Sequence, residues 1–184
     1  MPRMHALELL PDEAGGEVVR RDWQALRDAG LPSQLDHRGT TNGPHLTLVA
    51  APAMGPDDDA RALDALAPLL PAEVRVAGLA LLGGSRVTVA RLVDVPDDLA
   101  RAVLDLRRAT PDVQHPGWLP HVTLGRRIPR ADVPAALAVL GHADVVLRLD
   151  TLRRWDPDAG DVRRLAGPAS PEGTDAGPEI VTTL

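Results

Sequence analysis

Two stretches, Pro44-His45-Leu46-Thr47-Leu48 and Pro120-His121-Val122-Thr123-Leu124, decide how this chain is read. They repeat one pattern, P-H-x-T-L, 76 residues apart. With 6 histidines, 10 threonines and 28 leucines in 184 residues, two chance copies of H-x-T-L arise in roughly one shuffled sequence in a thousand. Side chains on a β-strand alternate between faces. His45 and Thr47 therefore share one face of a strand and Leu46 and Leu48 the other, and the second copy repeats this. The apolar residues anchor each strand to a core, while the imidazole and hydroxyl project together.

Outward from the motifs, the same grammar occurs twice. His5 to Leu10 reads as a strand, Glu17 to Ala29 as a helix stopped by Gly30, and 32–44 as a long loop before the strand His45 to Ala50. A helix from Asp57 to Leu70 follows, with acids in its first turn. Val74 to Leu82 and Arg86 to Leu92 form a hairpin turned at Gly83-Gly84-Ser85. The second round has a helix from Asp97 to Arg108, a proline-rich loop over 110–120, a strand from His121 to Gly125 and a helix from Asp132 to Leu140. Strands Val145 to Trp155 and Val162 to Leu165 close it. The expected fold is α+β and duplicated, with two largely antiparallel sheets flanked by helices. Residues 1–166 form one two-lobed domain in this reading. Residues 167–184, rich in Gly, Pro, Ser, Thr and acids, form a flexible tail.

Composition removes several chemistries. There is no cysteine, so thiolate nucleophiles and Cys-ligated zinc are excluded. There is no lysine either, all 20 basic residues being arginine. A Schiff base, a phosphate-loop lysine and an adenylated-lysine intermediate are therefore impossible. Any ligation must draw its energy from the substrate, for instance from a strained cyclic phosphate. A net charge of −6 and only three aromatic residues, all tryptophan, argue for a small substrate or an RNA end over a long duplex. No apolar run approaches the roughly 20 residues of a membrane span, and the N-terminus meets an acid and a proline early. A soluble, cytoplasmic, monomeric protein without membrane or cofactor is expected.

Two imidazoles flanking one phosphate can act as general base and general acid. Two hydroxyls can donate to its oxygens as charge builds. Neither motif contains Asp or Glu to complete a zinc site, so the expected mechanism is metal-independent. A strand histidine satisfied by its neighbours remains the ordinary alternative for either copy taken singly.

This pattern resembles the 2H phosphoesterase superfamily, in particular its 2′-5′ RNA ligase and cyclic phosphodiesterase branch. The resemblance spans about His5 to Leu165 and rests on His45, Thr47, His121, Thr123 and Arg126 in the stretch HVTLGR. It implies a bilobal fold with the active-site cleft between lobes, catalytic His45 and His121, and phosphate-binding Thr47 and Thr123. It also implies a phosphodiesterase that opens 2′,3′-cyclic phosphates of nucleotides or RNA ends, with reversible 2′-5′ ligation within reach. Two other readings stay open: a different cyclic phosphate, such as a cyclic ADP-ribose phosphate, and a nucleotide-sensing module without turnover. Arg126, on a regular strand, points away from the His121–Thr123 face, so phosphate binding and a surface role are both open. Trp118 stands where it can stack a base at the cleft rim or anchor its loop. His115 and His142 read as structural or exposed.

Overall fold

A β-α-β-α-β unit occurs twice, and the computed structural model describes it over residues 3–168 apart from 38 and 40. The first unit is β1 (His5–Pro11), α1 (Glu13–Asp28), β2 (Leu46–Ala51), α2 (Pro56–Leu66) and β3 (Ala72–Gly83). The second is β4 (Arg86–Asp94), α3 (Asp97–Ala109), β5 (His121–Pro129), α4 (Val133–Leu140) and β6 (Val145–Asp156), to which β7 (Asp161–Ala166) is added. Beyond Pro168 the expected tail lies outside the described residues. Among the described residues no helix is long and apolar enough to cross a membrane.

All strand pairings are antiparallel. The order is β1-β2-β5-β4-β3-β6-β7, and a further pairing of β1 with β6 closes six strands into a ring. The two expected sheets are therefore halves of one hydrogen-bonded system, β2-β1-β6-β7 and β5-β4-β3. They join where β3 pairs with β6 and where Leu46 pairs with Val122. The lobes do not coincide with the two sequence units. The short hairpin carries β3 onto β4, so the second lobe takes its third strand from the first unit, and β6 returns the exchange by pairing with β1. The helices cross over too: α1 packs against β5 and α4, while α3 packs against β2 and α2.

Local chemistry explains the element ends. α1 begins at Glu13, four residues before the sequence expectation, because Asp12 caps it by accepting from the Gly15 amide at 2.8 Å. Glycines weaken a helix interior, yet Gly15 sits in the first turn under close packing. A β-carbon there would lie 3.0 Å from Pro11 and 3.3 Å from Leu147. The buried face of α1 runs through Val19, Trp23 and Leu26, so Trp23 belongs to the core. α2 ends at Leu66 and tightens into a 3-10 turn over Ala67–Leu69, where Pro68 has no amide proton to continue the helix.

Two equivalent β-bulges shape the motif strands. Thr47 pairs with Glu8 and Val49 with Leu7, which leaves Leu48 as the extra residue. Thr123 pairs with Ala90 and Gly125 with Val89, which leaves Leu124 as the extra residue. A bulge resets the alternation of faces. Arg126, three residues after Thr123, is thereby returned to the Thr123 face. At this bend a β-carbon on Gly125 would fall 2.4 Å from the Pro32 carbonyl oxygen. Gly125→Ala should therefore cost about 1–3 kcal/mol, read as a lower urea midpoint with unchanged m-value.

Candidate active site

The single β2–β5 pair sets the site. Leu46 and Val122 face each other and are buried. Continuing that antiparallel register places His45 beside Thr123 and Thr47 beside His121. The His-Thr pairs thus meet around an approximate twofold axis. Leu46, Leu48, Val122 and Leu124 are buried on the other side, as the strand alternation requires.

Both motif histidines are held alike. The His45 Nδ1–H donates to the Gly43 carbonyl at 2.7 Å and the His121 Nδ1–H to the Leu119 carbonyl at 2.7 Å. A carbonyl only accepts, so Nδ1 carries a proton in each ring and Nε2 is left for other work. The intervening Pro44 and Pro120 restrict the backbone that aims each carbonyl back at the ring.

A cavity of about 830 Å³ opens here, a volume suited to a nucleotide-sized ligand. Of the sequence candidates, Thr47, Trp118, His121, Thr123 and Arg126 line it. His45 stands just outside this lining, where its Nε2 lies 3.6 Å from Glu8 Oε1. The remaining walls include Leu82 and Thr88 of the β3–β4 hairpin and Gln114 to Leu119 of the loop before β5. His115 lies on this rim, exposed. Trp118 combines both roles open to it: its ring borders the cavity, and its indole N–H donates to the Thr47 carbonyl at 3.0 Å. Trp23 makes the matching bond to the Thr123 carbonyl, also at 3.0 Å.

Two residues at the site were missed in the sequence. Glu8 is an acid in the middle of an apolar strand, and that was its signal. Arg107 falls on the buried stripe of α3 with Leu99 and Val103, where an arginine is out of place. Its guanidinium donates to the carbonyls of Leu48 at 2.5 Å, Gly117 at 2.8 Å and His115. Burial pulls its proton affinity below the usual arginine range.

Among the described residues, the His and carboxylate grouping with ligand-like spacing is His5 with Asp156 and Asp158, outside the motif pair. Both His5 nitrogens are already engaged. Nδ1 accepts from Arg154 at 3.1 Å, and Nε2 donates to Asp158 at 3.3 Å.

The sequence matches the 2′-5′ RNA ligase superfamily over residues 12–161. The chain belongs to this superfamily of 2H phosphoesterases. No curated protein sequence matches it. Among solved structures, Kluyveromyces marxianus Usb1 with uridine monophosphate superposes with a TM-score of 0.52 at 14% identity, over 90% of this chain and 98% of Usb1. E. coli LigT in its apo form gives 0.52 at 14% identity, over 89% and 93%. At these identities the likeness is one of fold.

Arg107 ties α3, the bulge of β2 and the 115–117 loop into one wall of the cavity. Arg107→Met keeps most of the aliphatic volume and leaves three carbonyls without their donor. We expect a loss of about 2–4 kcal/mol in denaturant unfolding. Proteolytic cleavage in the 110–120 loop should also become faster than in the wild type.

Proposed function

We propose that the chain is a metal-independent phosphodiesterase that opens 2′,3′-cyclic phosphates of nucleotides or RNA ends. His45 and His121 form its acid–base pair. Thr47 and Thr123 donate hydroxyls to the phosphate, Arg126 neutralises it, and Trp118 forms a wall for the base. The observation that carries this reading is the paired register around Leu46 and Val122. It sets two His-Thr pairs about one axis, each imidazole tied by Nδ1 to a carbonyl and each with Nε2 left for proton transfer. Membership of the phosphoesterase superfamily supports it, and the Usb1 structure of the same fold holds uridine monophosphate. An acidic chain without lysine suits a small nucleotide or a short RNA end. The same groups with exchanged roles can join a cyclic phosphate to a 5′-hydroxyl, which is 2′-5′ ligation in reverse of cleavage.

The test is turnover of a panel of 2′,3′-cyclic nucleotides, 2′-5′ dinucleotides and a cyclic ADP-ribose phosphate. Product regiochemistry should be determined for each. His45→Ala or His121→Ala should lower kcat by on the order of 10²–10⁴, and the double variant should be little worse than either. Tight binding of nucleotides without turnover would make the protein a sensing module instead.

Metal independence has its own check: activity should survive exhaustive chelation, and a loss with EDTA that zinc or magnesium restores would contradict it. Thr47→Val and Thr123→Val keep the branched shape and remove one donor. Each should slow kcat by roughly 10–10³, with Thr→Ser recovering much of the loss.

A further inference from the structure

The approximate twofold breaks at Glu8. Glu8 pairs across the strands with Thr47, just as Ala90 pairs with Thr123, each directly before its bulge. The first motif strand therefore has a buried carboxylate beside it where the second has a methyl group. Glu8 Oε2 accepts from Arg153 Nε at 2.8 Å, which holds the carboxylate in position. Glu8 Oε1 lies 3.6 Å from His45 Nε2, with the Glu8 side chain 8% and the His45 side chain 20% exposed. Among the described residues no carboxylate comes within 4.0 Å of a His121 ring nitrogen. Among the described residues, Arg153 on β6 lies behind Glu8, and the register sets His121 on β5 across the axis, with Arg126 five residues further along that strand. Arg107 reaches in from α3 to the Leu48 carbonyl.

His45 Nδ1 already carries a proton, because it donates to Gly43. A carboxylate facing Nε2 is favourable only when that nitrogen carries one as well. His121 is equally tied through Nδ1 but has no such neighbour at Nε2. We infer that Glu8 is a positioning residue that makes His45 the proton donor and His121 the proton acceptor when the site hydrolyses a cyclic phosphate. This assignment rests on the reading above. In the step, His121 Nε2 takes a proton from water as the water oxygen bonds to phosphorus. The bond from phosphorus to one ribose oxygen breaks, and that oxygen takes the Nε2 proton of His45. The product is a phosphate monoester, and exchange with solvent restores both rings.

The experiment compares wild type, Glu8→Gln, Glu8→Asp, His45→Ala and His121→Ala on two substrates. One is a 2′,3′-cyclic nucleotide, whose ribose oxygen needs a proton to leave. The other is a p-nitrophenyl phosphodiester, whose phenolate leaves without one. On the cyclic nucleotide His45→Ala should lose on the order of 10²–10⁴, but far less on the nitrophenyl ester. His121→Ala should lose heavily on both. In Glu8→Gln the alkaline limb of kcat/KM should move down, with the acid limb in place and partial recovery in Glu8→Asp. An unmoved alkaline limb, a moved acid limb, or the reverse substrate pattern in the two histidine variants would overturn the assignment. Absence of wild-type turnover on any cyclic phosphate would instead sink the proposed function. The ring ¹⁵N spectra still decide the present point in that case. His45 should keep both nitrogens protonated to higher pH than His121 in the wild type, and Glu8→Gln should abolish the difference. Rings that titrate together in the wild type refute it.

Discussion

One antiparallel contact between β2 and β5 holds the site together. Leu46 and Val122 are each almost fully buried, so their backbones are pressed together from the core side. Four polar side chains on the far side have their neighbours dictated by that pair. Nothing else joins β2 to β5 through a strand ladder, which leaves the two strands free to diverge on either side and open a cavity between them. A longer ladder would have closed the space that a ligand needs.

Tension between regular and irregular strand geometry runs through the rest of the structure. A bulge costs ladder bonds, and the freed groups need other partners. Here they are found at long range. Arg107 reaches the carbonyl of the bulged Leu48, and two tryptophans reach the carbonyls of the motif threonines. The helices that supply Trp23 and Arg107 each lie behind the motif strand of the other unit, so the packing that fills the core also fixes the irregular backbone.

The motifs, the duplicated order of elements and the antiparallel character were legible because they depend on local periodicity and on a repeat. Arg126 was harder. Its place on the Thr123 face depends on an extra residue at Leu124, and a bulge leaves no mark in a period-2 pattern beyond Gly125. Glu8 and Arg107 were visible as charges inside apolar segments, but their partners, Arg153 and the 115–117 loop, are brought near only by pairing β1 with β6 and docking α3 on β2. The exchange of third strands was invisible for the same reason, since each unit reads as complete on its own.

That exchange limits what one unit can be. A single β-α-β-α-β segment would leave its first strand without its second neighbour and its motif strand without a covering helix. Two copies related by a twofold would supply both, through a self-complementary interface of the isologous kind. Each copy would then bring one histidine and one threonine to a site on the axis. In this chain the two copies are joined by the β3–β4 turn, and covalent linkage has freed them to differ. Glu8 where the second unit has Ala90, and Arg126 where the first has Ala50, are differences that no symmetric dimer could hold.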